Sequence, residues 1–286
     1  MEPTESPASL DLRAIPIPSP TAFLTTEHYH QQPYRASALS NEALVRPCEA
    51  GLLCNSYYAI ENGTNPPYGR PIQGALKEVW CRESVAEKLL AVNRSLAAYH
   101  VQLMLLDGFR TLECQRDLWQ FFHVQTRSEN PALGDEALDR IVSQYCSRPV
   151  APNPADPETW PTHCTGAAID VTLCSLDSAE ALDLGSPFDD AHPVSHSCSL
   201  EDDLRVQTDD AMRDKAAARR EAARNRRLLY WSMTLAGFAN YPFEWWHFDW
   251  GNQMWLQNRL PGQPGTEAPE RAWYGCADFS LHRGGL

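Results

Sequence analysis

No stretch of the 286-residue chain approaches the roughly 20 consecutive apolar residues that a bilayer-spanning helix needs, so a membrane protein is not expected. Basic charge is scarce. The 24 Lys and Arg stand against 37 Asp and Glu, a formal net charge of −13. Repulsion from a phosphate backbone therefore argues against a nucleic-acid partner. The one basic run, Arg213 to Arg227, is interleaved with alanines and acids and reads as a solvated helix face. The nine cysteines are odd in number and scattered. They match no disulfide framework and no paired C-x-x-C zinc site. The opening residues, M-E-P-T-E-S-P-A-S-L-D-L-R, have neither the basic start nor the apolar run of a secretory leader. The expectation is a cytoplasmic protein whose thiols are mostly reduced. Long charged or low-complexity tracts are missing as well. The 43% apolar and 10% aromatic content is that of a folded globular chain.

What is present has a clear order. Five prolines within the first 20 residues predict an extended or flexible arm over 1–40. Val85, Leu89, Val92, Leu96 and Tyr99 recur at steps of three and four and predict a helix over 84–100. Val101 to Leu106 reads as a buried strand ending at Asp107-Gly108. Thr111 can cap a second helix running to about Arg127. A short helix over 135–146 and a proline-stiffened loop follow. Residues 167–173 alternate, with Ile169, Val171 and Leu173 on one face and Ala168, Asp170 and Thr172 on the other. A polar stretch over 174–208 leads to a long helix over 209–236, with Leu228, Trp231 and Leu235 as its buried stripe and Gly237 as its stop. The strand-like E-W-W-H-F-D-W closes the core. With no internal repeat and no linker, the expected fold is one α+β domain, a mainly antiparallel sheet flanked by helices.

Three segments carry chemistry. In P-T-H-C-T-G-A-A-I-D, His163 precedes the strand that bears Asp170, and both are good zinc ligand types. In E-W-W-H, Glu244 stands three residues from His247, the pairing of a general base with a metal ligand. On a regular strand these two side chains would point to opposite faces. One shared site requires either Glu244 in the turn before the strand or a bulge. In L-L-D-G-F-R, Arg110 follows a strand and a turn. It suits either oxyanion stabilisation or an ion pair with Asp107 or Glu113 at the surface. Each segment alone also fits an ordinary structural residue.

Taken together and in this order, D-G-F-R, T-H-C-T-G-A-A-I-D and E-W-W-H resemble the signatures of VanX-type D-Ala-D-Ala dipeptidases, relatives of D,D-carboxypeptidases and the hedgehog domain. L-G-S-P-F-D at 184–189 and N-R-R-L-L before A-G-F extend the resemblance over roughly residues 55 to 250. It implies a zinc site of His163, Asp170 and His247 in a cleft over the sheet, with Glu244 as catalytic base. It further implies that Arg110 steadies the oxyanion and that Asp189 holds the substrate's amino end. Pro161 and Thr162 depart from the family's polar residues before the first histidine, beside the substrate pocket. The reaction implied is hydrolysis of D-Ala-D-Ala by metal-activated water, in a peptidase domain over 41–256 with a tail at 257–286. A small dipeptide is the expected partner, and assembly into a homo-oligomer is left open. The competing readings are a D,D-carboxypeptidase acting on muramyl peptides and a zinc-bearing binding module without catalysis.

Overall fold

The structure, a computed structural model, describes residues 11–20, 28–153, 155–202, 213–260 and 270–279. Much of the expected arm and tail, and the first four residues of the helix expected over 209–236, lie outside these. The described elements form an α+β domain around a mixed sheet. In chain order they are β1 (Leu44–Val45), β2 (Leu53–Cys54), β3 (Cys81–Arg82), α1 (Glu83–Leu96), β4 (Val101–Asp107), α2 (Leu112–Glu129) and α3 (Asp135–Val142). Then come β5 (Ala168–Ser175), α4 (Arg213–Leu235), β6 (Ala239–Asn240), β7 (His247–Asp249) and α5 (Gln253–Asn258).

The main sheet runs β2-β4-β5-β7-β6, parallel at the β2–β4 edge and antiparallel elsewhere. Helix α1 forms where its stripe predicts. Val85, Leu89, Val92 and Leu96 are buried and face Leu103, Leu105, Ile169, Val171 and Leu173 of the sheet. The Thr111 hydroxyl accepts from the Cys114 amide at 3.1 Å and so caps α2 as expected. Helix α4 packs against both α1 and β5, which places the two on the same face of the sheet.

Three expectations need correction. Leu235 is 50% exposed, whereas Leu229 and Met233 join Leu228 in the core. The buried side of α4 also carries Asn225, Arg226, Ser232 and Thr234, so hydropathy alone misplaces it. The last strand is shorter than E-W-W-H-F-D-W, because residues up to Trp246 form turns and only His247–Asp249 pair. Finally, Cys48 and Cys54 form a disulfide. A one-turn helix at Pro47–Ala50 and the left-handed Gly51, with φ 97°, fold the chain back and bring their Cα atoms to 5.9 Å. The other seven cysteines are free.

Candidate active site

Pairing across three neighbouring strands assembles the centre. Asp170 of β5 lies directly opposite His247 of β7 on one side and Asp107 of β4 on the other. Opposed residues share a face, so the three side chains stand in a row on the face away from α1 and α4. Alternation along β4 would put Asp107 with Leu103 and Leu105 on the helix-covered face. A register shift between Leu105 and Asp107 adds one residue and moves it to the other. His163 arrives from a one-turn helix, Thr162–Thr165, that ends at Gly166 with φ 68°. A Cβ there would need the left-handed region and would meet the Leu44 side chain at 2.4 Å, so glycine is required between His163 and the strand.

The polar face is largely shielded from solvent. His163, Asp170, His247, Glu244, Arg110, Asp189 and Thr162 are all buried yet line one narrow cavity of about 30 Å³. Leu118 and Phe122 of α2 and Trp246 form its apolar walls. All seven residues singled out from the sequence therefore meet in one place. Glu244 lies in the turn before β7, its amide bonded to the Tyr241 carbonyl at 3.0 Å, and its Oε2 is 3.7 Å from His247 Nδ1. Of the two geometries that could join Glu244 and His247, the turn is the one present.

The donor set fits a divalent cation. His163 Nδ1 lies 2.8 Å from the Gly108 carbonyl oxygen, which only an N–H can satisfy, leaving Nε2 as a lone pair. His247 Nε2 lies 2.9 Å from Asp249 Oδ2, which leaves its Nδ1 facing His163 Nε2 at 3.2 Å. Asp170 Oδ1 is 3.2 Å from the same Nδ1, is buried and has no hydrogen-bond partner. Acceptors converging in a buried space attract positive charge. Burial opposes a proton on His247, yet Asp249 and Asp170 overcome it and raise this histidine well above its ordinary value. Burial would raise Asp170, but His163 and His247 hold it well below the usual carboxylate range. One ligand atom from each of His163, Asp170 and His247 can lie within 4.8 Å of the others. Two imidazoles and one carboxylate leave a coordination position open, the pattern of a catalytic site.

The remaining groups are fixed from several sides. Arg110 Nε donates to Asp107 Oδ2 at 2.9 Å, Nη1 to Gln115 Oε1 at 2.9 Å, and Nη2 to the Tyr58 hydroxyl at 3.3 Å and Asp170 Oδ2 at 3.4 Å. The ion pair with Asp107 that the sequence left open exists, but it is buried and not at the surface. Burial would lower the Arg110 pKa, and Tyr58, Asp107 and Asp170 more than offset it, so the guanidinium stays charged. Asp189, with φ 60°, accepts from the Tyr68 hydroxyl at 2.8 Å. Burial, with the Asp170 charge adding, pushes it up to about 7. Burial also pushes Glu244 well above the carboxylate range; His247 pulls against this while Asp170 and Asp189 add to it. Sequence reasoning missed Tyr58, Tyr68 and Gln115, which no motif singled out. It also missed Asp249, although an aspartate two residues after His247 on a strand shares its face.

Two imidazoles and a carboxylate beside a buried glutamate and a fixed guanidinium suit metal-assisted peptide hydrolysis. The family model described as D-Ala-D-Ala dipeptidase matches residues 48–263, most of the chain, and the chain belongs to that family. It is 36% identical over 190 residues to the D-alanyl-D-alanine dipeptidase of Enterococcus faecalis, covering 63% of this chain and 78% of that protein. To the D-alanyl-D-alanine dipeptidase of Synechocystis it is 31% identical over 159 residues, covering 54% of this chain and 61% of that protein. The protein of the same name from Enterococcus faecium is 27% identical over 188 residues, covering 63% and 78%. The match thus spans about three fifths of the Synechocystis relative's length. Among the described residues no helix is long and apolar enough to cross a membrane.

Proposed function

We propose that the chain hydrolyses the free dipeptide D-Ala-D-Ala to two D-alanines in the cytoplasm, with zinc as its metal and residues 41–256 as the peptidase unit. The observation that carries this reading is the meeting of Glu244, Arg110 and the His163–Asp170–His247 cluster in one cavity of about 30 Å³. A divalent ion held by His163 Nε2, Asp170 and His247 Nδ1 would supply Lewis-acid chemistry, lowering the pKa of a water to about 7 and polarising the scissile carbonyl.

The chain's own groups do the rest. Glu244 takes the proton of the attacking water, whose oxygen bonds to the carbonyl carbon. The same carboxyl then passes that proton to the leaving nitrogen as the C–N bond breaks. The Arg110 guanidinium, held by Asp107, Gln115 and Tyr58, stands ready for the charge that develops on the carbonyl oxygen and need not reorganise to meet it. Asp189, steadied by Tyr68, pairs with the substrate's ammonium group. Thr162 lines the same cavity.

The deciding experiment measures D-alanine release from D-Ala-D-Ala by purified protein, with and without chelator, beside an N-acetylated dipeptide. Chelator-sensitive release from the free dipeptide alone is the expected result. Preference for the blocked peptide would replace the reading with a D,D-carboxypeptidase. Bound zinc without release from either would replace it with a binding module.

A further inference from the structure

His247 is held by more than its place on β7. Asp249 lies two residues on, on the same face of the strand, and is fully buried. Its Oδ2 faces His247 Nε2 at 2.9 Å. Its Oδ1 accepts two donors, the Thr162 hydroxyl at 2.6 Å and the Asn252 amide at 2.6 Å. Asn252 also donates to the Thr162 oxygen at 2.9 Å, and its own Oδ1 accepts from the Trp255 amide at 2.9 Å, capping α5. With Oδ1 occupied from two sides, Oδ2 is aimed at the imidazole and can only accept. That fixes the His247 proton on Nε2 and turns the Nδ1 lone pair toward His163 and Asp170.

We propose that Asp249, locked by Thr162 and Asn252, is a positioning residue that sets the tautomer and ring orientation of His247 for metal binding. This rests on the metal site of the proposed function. It also gives Thr162 a different task from touching substrate. The Thr162 proton is committed to Asp249, so the loop that carries His163 and the strand that carries His247 are tied through one carboxylate. A carboxylate behind a ligating imidazole raises its basicity and removes its rotational freedom, and losing one typically weakens metal binding about 10- to 100-fold.

Asp249→Asn keeps the volume but can no longer accept on both ends. Its amide group must face either the Thr162 and Asn252 donors or His247, and in the second case it demands the wrong tautomer. The test titrates Zn2+ against a chromophoric chelator and records the visible spectrum of the Co2+ form, with thermal melting to establish folding. Asp249→Asn should bind Zn2+ about 10- to 100-fold more weakly, with an altered cobalt spectrum. Thr162→Val should lose a smaller factor, about fivefold for one hydrogen bond, and Thr162→Ser should restore it. A folded Asp249→Asn protein with unchanged zinc affinity and spectrum would overturn the positioning role alone. Should that variant not fold, equal affinities in Thr162→Val and Thr162→Ser overturn it instead. Wild-type protein that takes up no zinc would remove the metal site itself, and this inference with it.

Discussion

Glu244 and Arg110 differ in how much of their environment a substitution disturbs. Glu244 sits in a turn held by backbone bonds, so Glu244→Gln leaves the fold and the metal ligands in place. We expect kcat to fall by about 10²- to 10⁴-fold with zinc stoichiometry unchanged, measured by D-alanine release and metal analysis. Retained turnover would remove Glu244 as the base. Arg110 satisfies Asp107, Gln115, Tyr58 and Asp170 at once. Lysine keeps the charge but offers a single ammonium in place of the planar fork. Arg110→Lys should therefore lower kcat by about 10²- to 10³-fold, with a far smaller change in KM. A loss confined to KM would make Arg110 a substrate-binding group. That His163, Asp170 and His247 would meet Glu244 and Arg110 was legible in the sequence because motif order ties them together. Tyr58 and Gln115 were not, since a hydroxyl or amide that steadies an arginine leaves no spacing pattern.

At the level of elements, the segment that presents Asp189 depends on one side chain of α4. Arg226 donates to the carbonyls of Leu184, Val194 and His196, and to the hydroxyls of Ser186 and Ser199. Neighbouring Asn225 holds the Asp183 carbonyl at 3.1 Å. Burial, with nearby Asp183 opposing, pushes the Arg226 guanidinium down to about 10, so it remains charged at neutral pH. Arg226→Met leaves several buried carbonyls without donors. It should cost roughly 3 kcal/mol in urea unfolding and raise KM for the free dipeptide well above its effect on kcat. A loss of stability with KM unchanged would separate this clamp from Asp189. Helices α1 and α2 were readable because an apolar stripe or a capping threonine repeats over several turns. Strands β2, β6 and β7 span two or three residues each, too few for a period of two to register. The β4 bulge that turns Asp107 toward the site is a property of register between strands, which one strand's sequence does not encode.

Across the whole molecule, segments far apart in sequence close over the back of the site. The Gln253 side chain donates to the carbonyls of His30 and Gln32 at 2.9 Å each. Ala272 bonds to Pro33 and Arg35, and the Ala277 amide bonds to the Cys164 carbonyl beside His163. The Tyr29 hydroxyl donates to the Trp160 carbonyl at 3.0 Å. None of these contacts was predictable from local pattern, because each joins residues more than 100 positions apart. His30 sits within this closure against the Tyr29 ring, and burial lowers its pKa from 6.5 to about 4, against an opposing Pro157 backbone bond and the Asp156 charge. The folded value lies below the unfolded one, so between them the unfolded chain binds the proton more tightly. Stability from this group is complete above about pH 6.5 and is lost as pH falls toward about 4, by at most about 3 kcal/mol at roughly 1.4 kcal/mol per unit. His30→Gln cannot titrate, and its urea midpoint should vary less steeply with pH over that window than the wild-type midpoint. Parallel slopes in the two proteins would place the source of acid sensitivity elsewhere, in the paired carboxylates of the site.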